Sequence, residues 1–583
     1  MMKYSDLVKI YEQLESTTKR LEKINCLSDF LRNLDKKELE KIILLVQGKI
    51  FPDWNETKIG VSSQLVIKAL KVATGKREKD IINEWKNTGD LGEAAASLVN
   101  KKSQFTLISK DLTVDKVFTN LRKLPTLEGM GSVDSKIKLI AELLSYSKLN
   151  ETKYIIRTIL EELRVGLGEG TVRDSIGWAF FNIAEYNKKE NKVEMKKDRE
   201  YYNHVLDTIQ EAYDMSNDFS VVIKKAKEGL DSLKKVDLSV GTPIKVMLAQ
   251  KVDSIKEGFS RVEKPAALEY KYDGFRMQIH KNKEGAIMIF TRRLENVTNQ
   301  FPEVVGYVKE HIKEKNFVID SEAVGYDPST KKYLPFQNIS KRIKRKYNIE
   351  KMSKKYPVEL NIFDVLYLNG KNLIKRPFKE RRKILDKILK NPEKYIIKAA
   401  EQIITDSEKK SKEFYENAVD RGMEGIMMKN LTSHYKPGKR VGHMVKLKSS
   451  KDPLDFVITG AEWGTGKRGK WLSSFLVSVL DKEKNEYLEI GKVGTGIKEL
   501  EEQGLTFRKL TSLLNPLIIE EKGKTVKVKP EIVISVVYEE IQKSPSYSSG
   551  FALRFPRVIS LREDKDPSEV HTLGEINKLY EEQ

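Results

Sequence analysis

The chain has 583 residues, too many for one hydrophobic core, and at about 150 residues per domain it suggests roughly four domains, or three. Lys and Arg together number 106 against 85 for Asp and Glu. The resulting net charge of +21 points to a polyanionic partner, with nucleic acid as the first candidate. The single cysteine, Cys26, excludes an intramolecular disulfide framework and a zinc site built from several thiolates, and it fits a reducing intracellular compartment.

The pattern of the chain changes twice, which predicts a multidomain α+β protein with three parts. Residues 1–235 have apolar side chains at helical spacing and are predicted to form an all-α domain. Residues 240–448 mix short alternating strands with helices and predict a mixed α/β domain. Residues 451–583 are rich in strands and glycines, which is typical of a small β-barrel. No apolar run approaches the roughly 20 residues that span a bilayer, and no signal segment is visible, so membrane anchoring is not expected.

The most informative segment is 268–280, which is predicted to be a strand, a turn at Asp273 and a second strand. Because strand side chains alternate in direction, Glu269, Lys271 and Asp273 share one face. After the turn, Arg276 lies on the polar side of the second strand. On spacing alone, a surface hairpin with an ordinary Lys–Glu ion pair is the commoner interpretation. The alternative is a nucleophilic lysine.

A lysine acts as a nucleophile only after it loses its proton, and a free amine titrates at about 10.4. Burial or nearby cations lower that value. Later segments supply cations, because Lys446 and Lys448 share a strand face and Arg292 and Arg440 add positive charge. An amine among cations needs an anionic substrate, and a nucleoside triphosphate fits, with its α-phosphorus as the electrophile.

Paired carboxylates fit the same kind of substrate. Asp320 and Glu322 alternate within an apolar strand and face the same way, which suits a hard cation such as Mg²⁺ that prefers oxygen ligands. Two exposed acids on an edge strand explain this pattern equally well. The segment 424–429 adds Glu424 and Lys429, which ideal alternation places on opposite faces. Both reach one site only if one of them lies at a turn or bulge.

The order of these motifs resembles the ATP-dependent DNA ligases, and the three-part layout resembles their archaeal-type replicative members. The core match is segment 271–276, which follows the family pattern Lys-x-Asp-Gly-x-Arg. The further matches follow in order along nearly the whole chain: Arg292, the Glu322 strand, segment 361–364, segment 424–429, Lys446 and Lys448, and segments 551–557 and 562–565. The resemblance implies a helical DNA-binding domain, a nucleotidyltransferase (adenylation) domain and an OB-fold β-barrel.

The same resemblance implies an enzyme that seals nicks in duplex DNA with ATP and Mg²⁺, or Mn²⁺, in DNA replication, repair and recombination. Lys271 would attack the α-phosphate of ATP and carry AMP as a covalent lysyl intermediate. The implied nucleotide contacts are Glu269, Arg276, Arg292, Glu322, Phe363, Arg440, Lys446 and Lys448. The implied metal ligands are Glu322 and Glu424, with Asp320 as a third candidate. The residues implied to orient the pyrophosphate leaving group are Arg554, Arg562, Asp564 and Lys565.

Two positions depart from the family pattern. Ser321 stands where the family often has Gly between the acids, which puts the close approach of the backbone to the nucleotide in doubt. Met444 stands where the family usually has Trp, which puts one packing contact in doubt.

A glycine-rich turn, residues 163–173, joins two predicted helices and carries Arg164, Gly166, Gly168 and Arg173. Its backbone N–H groups and arginines could contact DNA phosphates. On sequence alone, a helix C-cap followed by a loop explains the turn at least as well. The resemblance favours the phosphate contact, because the family's helical domain clamps the duplex.

Several rival functions stay open at this point. An RNA ligase or an RNA-capping guanylyltransferase would share the lysyl-nucleotide step, whereas a non-catalytic DNA-binding protein would form no covalent AMP. An NAD-dependent ligase is disfavoured, because that class carries a four-cysteine zinc module. The resemblance also implies a sliding clamp as a partner, although Gln104 and Phe105 form only a degenerate clamp-binding pattern that an exposed basic loop explains better. A cytoplasmic, nucleoid-associated monomer is expected.

Overall fold

The computed structural model describes residues 2–583 except 56, 101–110, 188–189, 191, 335, 344, 346, 449–452, 465–467 and 500–504. The chain separates into two compact units, Met1–Leu447 and Lys448–Gln583, which are described separately. The predicted division of the first unit near residue 235 stays a prediction. The segment with Gln104 and Phe105 lies outside the described residues.

The first part of the Met1–Leu447 unit is helical. Its α-helices are α1 (Tyr4–Glu15), α2 (Arg20–Arg32), α3 (Lys36–Leu45), α4 (Ser63–Thr74), α5 (Glu78–Thr88), α6 (Leu91–Asn100), α7 (Val114–Lys123), α8 (Ser132–Tyr146), α9 (Leu149–Ile159), α10 (Glu169–Phe181), α11 (Arg199–Ser216), α12 (Phe219–Glu228) and α13 (Leu230–Lys234). The apolar spacing seen in the sequence explains their packing: Leu7, Tyr11 and Leu14 lie on one face of α1 and are fully buried.

The sequence predicted that this part is wholly helical, but it also contains two short strands. The strands β1 (Ala184–Asn187) and β2 (Lys192–Met195) form an antiparallel pair between α10 and α11. The pair follows Asn182, which ends α10 in the left-handed conformation with φ of 45°. Asp198 then caps α11, because its side chain accepts a hydrogen bond from the Tyr201 N–H at 2.8 Å.

The rest of the unit mixes strands with helices. The strands are β3 (Leu248–Val252), β4 (Ala266–Lys271), β5 (Phe275–Lys281), β6 (Ile287–Thr291), β7 (Phe317–Gly325), β8 (Val358–Leu368), β9 (Lys371–Asn372), β10 (Ile397–Ala399), β11 (Gln402–Thr405), β12 (Gly425–Asn430) and β13 (Arg440–Lys448, whose last residue belongs to the second unit). The helices are α14 (Ile255–Val262), α15 (Pro302–His311), α16 (Phe336–Ile343), α17 (Ile349–Lys355), α18 (Phe378–Ile388) and α19 (Glu408–Asp420).

These strands form two sheets. One runs in the order β10-β8-β7-β5-β6, with β9 beside β8, and the other in the order β11-β4-β12-β13-β3. The strand, turn and second strand predicted for segment 268–280 are present, but the alternative of a surface hairpin is wrong, because β4 and β5 belong to different sheets. The turn between them crosses from one sheet to the other. An added Cβ on Gly274 would lie 2.4 Å from the carbonyl oxygen of Ala323 on β7, so only glycine fits this crossing without a shift.

The predicted alternation itself is present on both strands. Leu268, Tyr270 and Tyr272 are buried in one apolar cluster, while Phe275 and Met277 are buried in another. The opposite faces of β4 and β5 are left to polar side chains. The position of Lys271 at the end of β4, beside the crossing to the second sheet, places it between the two sheets' polar faces.

The Lys448–Gln583 unit is rich in β-structure. Its elements are β14 (Leu454–Trp463), β15 (Leu472–Asp481), β16 (Glu486–Val493), α20 (Phe507–Leu514), β17 (Ile518–Lys522), β18 (Thr525–Val528), β19 (Val533–Val537), β20 (Glu540–Lys543), β21 (Phe551–Arg554), β22 (Arg557–Leu561) and α21 (Leu573–Glu581). The main sheet runs β16-β15-β14-β18-β17, with β19 joining β14 to β22. The predicted fold class, with a helical, a mixed and a β-rich part, is confirmed. In the part of the chain that the structure describes, no helix has the length and hydropathy needed to cross a bilayer.

Candidate active site

The amine of Lys271 forms an ion pair with Glu424. The distance from Lys271 Nζ to Glu424 Oε2 is 2.6 Å, and both side chains are about four-fifths buried (20% and 19% exposed). The backbone N–H of Glu424 also donates to the Lys271 carbonyl at 2.9 Å. Glu424 lies just before β12, and the next residue, Gly425, has φ of 138°, a conformation that L side chains rarely adopt. Because of this break in the alternation, Glu424 and Lys429 both reach the polar face of β4, where they pair with Lys271 and Glu269.

Glu269 lies two residues before Lys271 on the same face of β4, and it is almost fully buried (2% exposed). Its carboxylate is 2.5 Å from the amine of Lys429 and accepts a hydrogen bond from the Gln402 side chain at 2.8 Å. The Arg382 guanidinium is 3.5 Å away. These partners compensate the buried charge and hold the polar face of β4 in one arrangement.

Asp320 and Glu322 lie on β7, which is an interior strand between β5 and β8 rather than an edge. The edge-strand interpretation is therefore wrong. Asp320 is fully buried, and its Oδ2 accepts hydrogen bonds from Arg276 at 2.5 Å and from the Tyr435 hydroxyl at 2.8 Å. These partners account for the buried carboxylate of Asp320, and the roles of Asp320 and Glu322 as metal ligands stay predictions.

Glu322 is half-buried and is opposite Arg276 in the register of β7 and β5. Burial raises the pKa of Glu322 to about 7, although the positive charges of Lys271 and Arg276 act in the other direction. The negative charge of Glu424 adds to the rise. Glu322 and Glu424 are thus two acids close enough to repel each other beside one lysine.

Phe363 on β8 lies among cations. The ring centroid is 5.0 Å from the Arg276 guanidinium carbon and 4.8 Å from the Lys429 amine. The Arg276 guanidinium also donates to the Met247 carbonyl at 3.1 Å. The structure therefore brings Arg276 and Lys429 against the ring of Phe363, which the resemblance implies as a nucleotide contact.

The other predicted nucleotide contacts lie at strand ends. Arg292 follows β6, and Arg440 begins β13; both are exposed. Lys446 is half-buried near the end of β13, and its neighbours Val445 and Leu447 are buried, as the predicted alternation requires. The roles of these residues stay predictions.

The two departures from the family pattern have simple structural outcomes. Ser321 is fully buried, and its hydroxyl donates to the Met277 carbonyl at 3.0 Å within the sheet. Alternation turns this side chain away from the face of Asp320 and Glu322. Met444 is buried in an apolar cluster and lines a small cavity with Phe363 among its other walls.

Comparison with known proteins agrees with this geometry. Family models match three regions: the DNA ligase N terminus over residues 3–177, the ATP dependent DNA ligase domain over 246–448, and the ATP dependent DNA ligase C terminal region over 468–565. The DNA ligase of Nanoarchaeum equitans is 44% identical over 100% of this chain and 99% of its own length. The DNA ligase of Thermococcus fumicolans is 42% identical over 99% of this chain and 98% of its own. The chain belongs to the ATP-dependent DNA ligase family.

The expected enzyme class is confirmed: this is a DNA ligase that seals nicks through an adenylate intermediate. Its fold is also similar to the solved structure named Pmar-Lig_PreS3, which is 16% identical with a TM-score of 0.56 over 95% of this chain and 99% of that one. The family that the chain matches is neither an RNA ligase, a guanylyltransferase nor a non-catalytic binding protein, which were the alternatives left open by the sequence.

In the Lys448–Gln583 unit of the ligase, carboxylates hold the predicted leaving-group residues. Asp455, which is nearly buried, pairs with Arg562 at 2.9 Å and with Lys565 at 2.8 Å. Arg562 also pairs with Asp564 at 2.7 Å and lowers the pKa of that carboxyl to about 2. Arg554 pairs with Glu540 at 3.0 Å. Within the same unit, Lys448 pairs with Glu539 at 2.7 Å.

The glycine-rich turn connects α9 to α10 in the helical part of the ligase. Arg164 has φ of 61° and is half exposed, and its guanidinium pairs with Asp90 at 3.0 Å. Arg173, on α10, pairs with Asp174 at 2.6 Å. Gly166 has φ of 66°, and Gly168 is the residue before the first turn of α10. The turn is thus a loop that leads into a helix N-terminus, with arginines at both of its ends.

Sequence reasoning missed several residues that support the site. Arg382 and Gln402 bind Glu269 from 113 and 133 residues away, and neither lies in a motif. Lys429 was noticed as a cation without a role. Tyr435, which binds Asp320 and Arg276, carried no signal in the sequence, because a buried tyrosine hydroxyl is recognisable only from its partners.

Proposed function

We propose that Lys271 is the residue that carries AMP. Its unprotonated amine attacks the α-phosphorus of ATP, a nitrogen–phosphorus bond forms, and the bond to pyrophosphate breaks. AMP then passes from Lys271 to the 5′-phosphate of a nick, and the 3′-hydroxyl attacks that phosphate and displaces AMP. The observation that carries this proposal is the placement of Lys271 at the end of β4, 2.6 Å from Glu424 and between the polar faces of two sheets.

The residues around Lys271 do the positioning that this transfer needs. Phosphoryl and nucleotidyl transfer depend mainly on alignment and on neutralising charge. The Glu269 cluster fixes the strand that bears the nucleophile, and Phe363 offers a ring for adenine. Further contacts to the sugar and phosphates are assigned to Arg276, Arg292, Arg440, Lys446 and Lys448. Arg554, Arg562, Asp564 and Lys565 are assigned to the pyrophosphate leaving group.

The donor set fits a magnesium ion that arrives with the nucleotide. Mg²⁺ is commonly held by one or two carboxylates together with substrate phosphates, rather than by an all-protein cage. Glu322 and Glu424 provide two such carboxylates, and in the described part of the chain no group of three or more suitable side chains forms a cage. Bound there, Mg²⁺ or Mn²⁺ would neutralise phosphate charge. The support for this assignment is that Glu424 pairs with Lys271 and that the charges of Lys271 and Glu424 both act on Glu322.

Nicked duplex DNA is the proposed macromolecular substrate. The glycine-rich turn is proposed to bind part of it. The net charge of +21 supplies attraction over the whole chain, and the turn supplies N–H groups and Arg164 and Arg173. We also assign the enzyme to DNA replication, repair and recombination in the cytoplasm, near the nucleoid. A monomer working with a sliding clamp is proposed from the resemblance alone.

Incubation with labelled ATP and Mg²⁺ tests the nucleophile. Wild-type protein should keep label after denaturation, and a peptide containing Lys271 should gain the mass of AMP. Lys271→Arg should abolish the label, whereas Lys264→Arg, at an exposed lysine paired with Glu408, should keep it. Label that persists in Lys271→Arg would reject the assignment. GTP in place of ATP should give no label.

A binding titration tests the DNA assignment. The double variant Arg164→Ala/Arg173→Ala should bind nicked duplex more weakly than wild type. Its plot of log affinity against log salt should be shallower, because each lost phosphate contact removes about one unit of slope. Binding and slope equal to wild type would show that the arginines of the turn do not contact phosphates.

A further inference from the structure

Lys23 on α2 is a lysine buried in the helical part of the chain with no carboxylate beside it. It is 7% exposed, and among the described residues it forms no ion pair. Its amine donates instead to two backbone carbonyls of the glycine-rich turn, Val165 at 2.5 Å and Gly166 at 3.2 Å. Burial lowers the pKa of Lys23. Burying an ammonium without a carboxylate lowers the stability of the fold, so we expect this contact to do more than fill space.

The two hydrogen bonds fix the direction of the turn's peptide groups. The bonds after Val165 and Gly166 are trans, so each carbonyl and the N–H that follows it point in opposite directions. By drawing both carbonyls inward, Lys23 turns the N–H groups of Gly166 and Leu167 away from itself. For the N–H groups of residues 166–170, no acceptor is found in the described part of the protein. They are therefore available to an anion from outside.

The geometry of Gly166 is matched to this lysine. Its φ of 66° is in the left-handed region, and an added Cβ would lie 2.6 Å from the Lys23 amine. Arg20 precedes Lys23 by one turn of α2 and binds the first residues of α10. Its guanidinium donates to the Gly170 carbonyl at 3.3 Å and pairs with Asp174 at 2.5 Å. One face of α2 thus contacts the glycine-rich turn both before α10, through Lys23, and in the first turn of α10, through Arg20.

We propose that Lys23 is a positioning residue for DNA: it holds the glycine-rich turn so that the N–H groups of Gly166 and Leu167 meet a phosphate of the nicked duplex. This inference rests on the proposed DNA-binding role of the turn. Lys23 itself, being enclosed, does not touch the phosphate. It acts through the carbonyls that it binds, and its positive charge polarises the same peptide groups toward the anion.

Lys23→Met tests the proposal, because methionine keeps the buried stem and removes the amine. Dissociation constants for nicked duplex, measured at several salt concentrations, should rise at least about tenfold, as expected for the loss of hydrogen bonds to a charged donor. The slope of log affinity against log salt should stay that of wild type, because no phosphate-neutralising cation has been lost. A merely structural role would not separate these two quantities.

Two further variants and a control complete the experiment. Gly166→Ala keeps the Lys23 side chain but places a Cβ where the Lys23 amine lies, so it should weaken binding in the same way, and the test survives if Lys23→Met fails to fold. Lys19→Met, at an exposed lysine paired with Glu22, should bind as wild type does. The yield of covalent AMP and the thermal midpoint report whether each variant is folded.

The outcomes separate the inference from the function beneath it. Wild-type affinity in both Lys23→Met and Gly166→Ala would overturn the positioning role. A slope reduced by about one in Lys23→Met would overturn it too, because Lys23 would then be a direct phosphate ligand. If Arg164→Ala/Arg173→Ala also binds normally, the DNA-binding role of the turn is itself wrong. If only the arginine variant is weakened, the turn binds DNA without help from Lys23.

Discussion

The amine of Lys271 is 2.6 Å from the Glu424 carboxylate, and the Glu424 N–H donates to the Lys271 carbonyl at 2.9 Å. The two residues are thus joined through both side chain and backbone, across neighbouring strands β4 and β12. The backbone hydrogen bond fixes the position of the Glu424 main chain, and the ion pair fixes the position of the Lys271 amine. A change at Glu424 should therefore alter the chemistry of Lys271 before it alters the fold.

Glu424→Gln should slow formation of the AMP–enzyme by at least about 100-fold, because the amide cannot accept a proton or hold a cation as a carboxylate does. The measurement is the rate of covalent labelling with ATP in a rapid-mixing experiment. Glu416→Gln, on the exposed face of α19, makes the same chemical change outside the site and is the control. Equal rates in Glu424→Gln and wild type would remove Glu424 from the mechanism.

Lys429→Met should lower the free energy of unfolding by about 3 kcal/mol, because it leaves the buried Glu269 carboxylate with weaker partners. Adding Glu269→Gln to this variant should recover part of the loss, since the unpaired charge is then gone. Lys412→Met, which breaks an exposed pair with Glu416, should cost little. Urea titrations of these variants measure the effect, and a double variant less stable than Lys429→Met alone would contradict it.

Gly274→Ala should impair adenylation, because the new Cβ would lie 2.4 Å from the Ala323 carbonyl oxygen and 3.1 Å from Glu322 Cγ. The turn that carries the chain from β4 to β5 must then shift, and with it the spacing between Lys271 and Glu322. Gly306→Ala is the matched control, because nothing lies within 4 Å of its added Cβ in α15. Labelling rates for the two variants should differ clearly, and similar rates would show that the crossing tolerates a side chain.

Acid should destabilise the protein through His280, which is fully buried on β5 and whose pKa burial lowers to about 3. Its Nδ1 accepts a hydrogen bond from the Gly241 N–H at 2.9 Å, and its Nε2 is 3.0 Å from the Gln278 side chain. The unfolded chain takes up a proton more readily than the folded one. The contribution of His280 is therefore complete above the unfolded pKa of about 6.5 and declines as pH falls toward 3.

At pH 5 the free energy of unfolding should be lower by about 2 kcal/mol because of His280. This pH is roughly 1.5 units below the unfolded pKa, and each unit corresponds to about 1.4 kcal/mol. Thermal midpoints measured between pH 4.5 and 7.5 should fall less steeply in His280→Gln, whose amide cannot titrate. His204→Gln, on an exposed face of α11, is the control for the substitution itself. Identical pH profiles for His280→Gln and wild type would assign the acid sensitivity to other groups.

Lys565→Ala should slow the first step of the reaction and spare the last. If Lys565 orients pyrophosphate, its loss should slow AMP–enzyme formation by about 100-fold, as for removal of one preorganised electrostatic contact. Sealing of a nick that already carries AMP should continue near the wild-type rate. Lys578→Ala, at an exposed position of α21, is the control. Equal slowing of both steps would point to a role other than orienting the leaving group.

The sequence predicted the local structure and the family of this protein well where the signal is local. The helical periodicity of α1 and the alternation along β4 follow from fixed backbone geometry, so burial of Leu7 and Tyr11, and of Leu268 and Tyr270, was foreseeable. The ordered motifs from Lys271 to Lys448 also sufficed to indicate the family, because each motif is a short run of neighbouring residues.

The tertiary structure decided what no local pattern contains. Only packing puts β4 and β5 in separate sheets, encloses Asp320 with Tyr435, and gives Glu269 the partners Arg382 and Gln402. It also places Lys23 beneath a turn more than a hundred residues further along the chain. The physical reason is that alternation and periodicity are set by the backbone of a few consecutive residues. The partner of a buried charge is chosen instead by how distant segments pack and by the cost of leaving that charge alone.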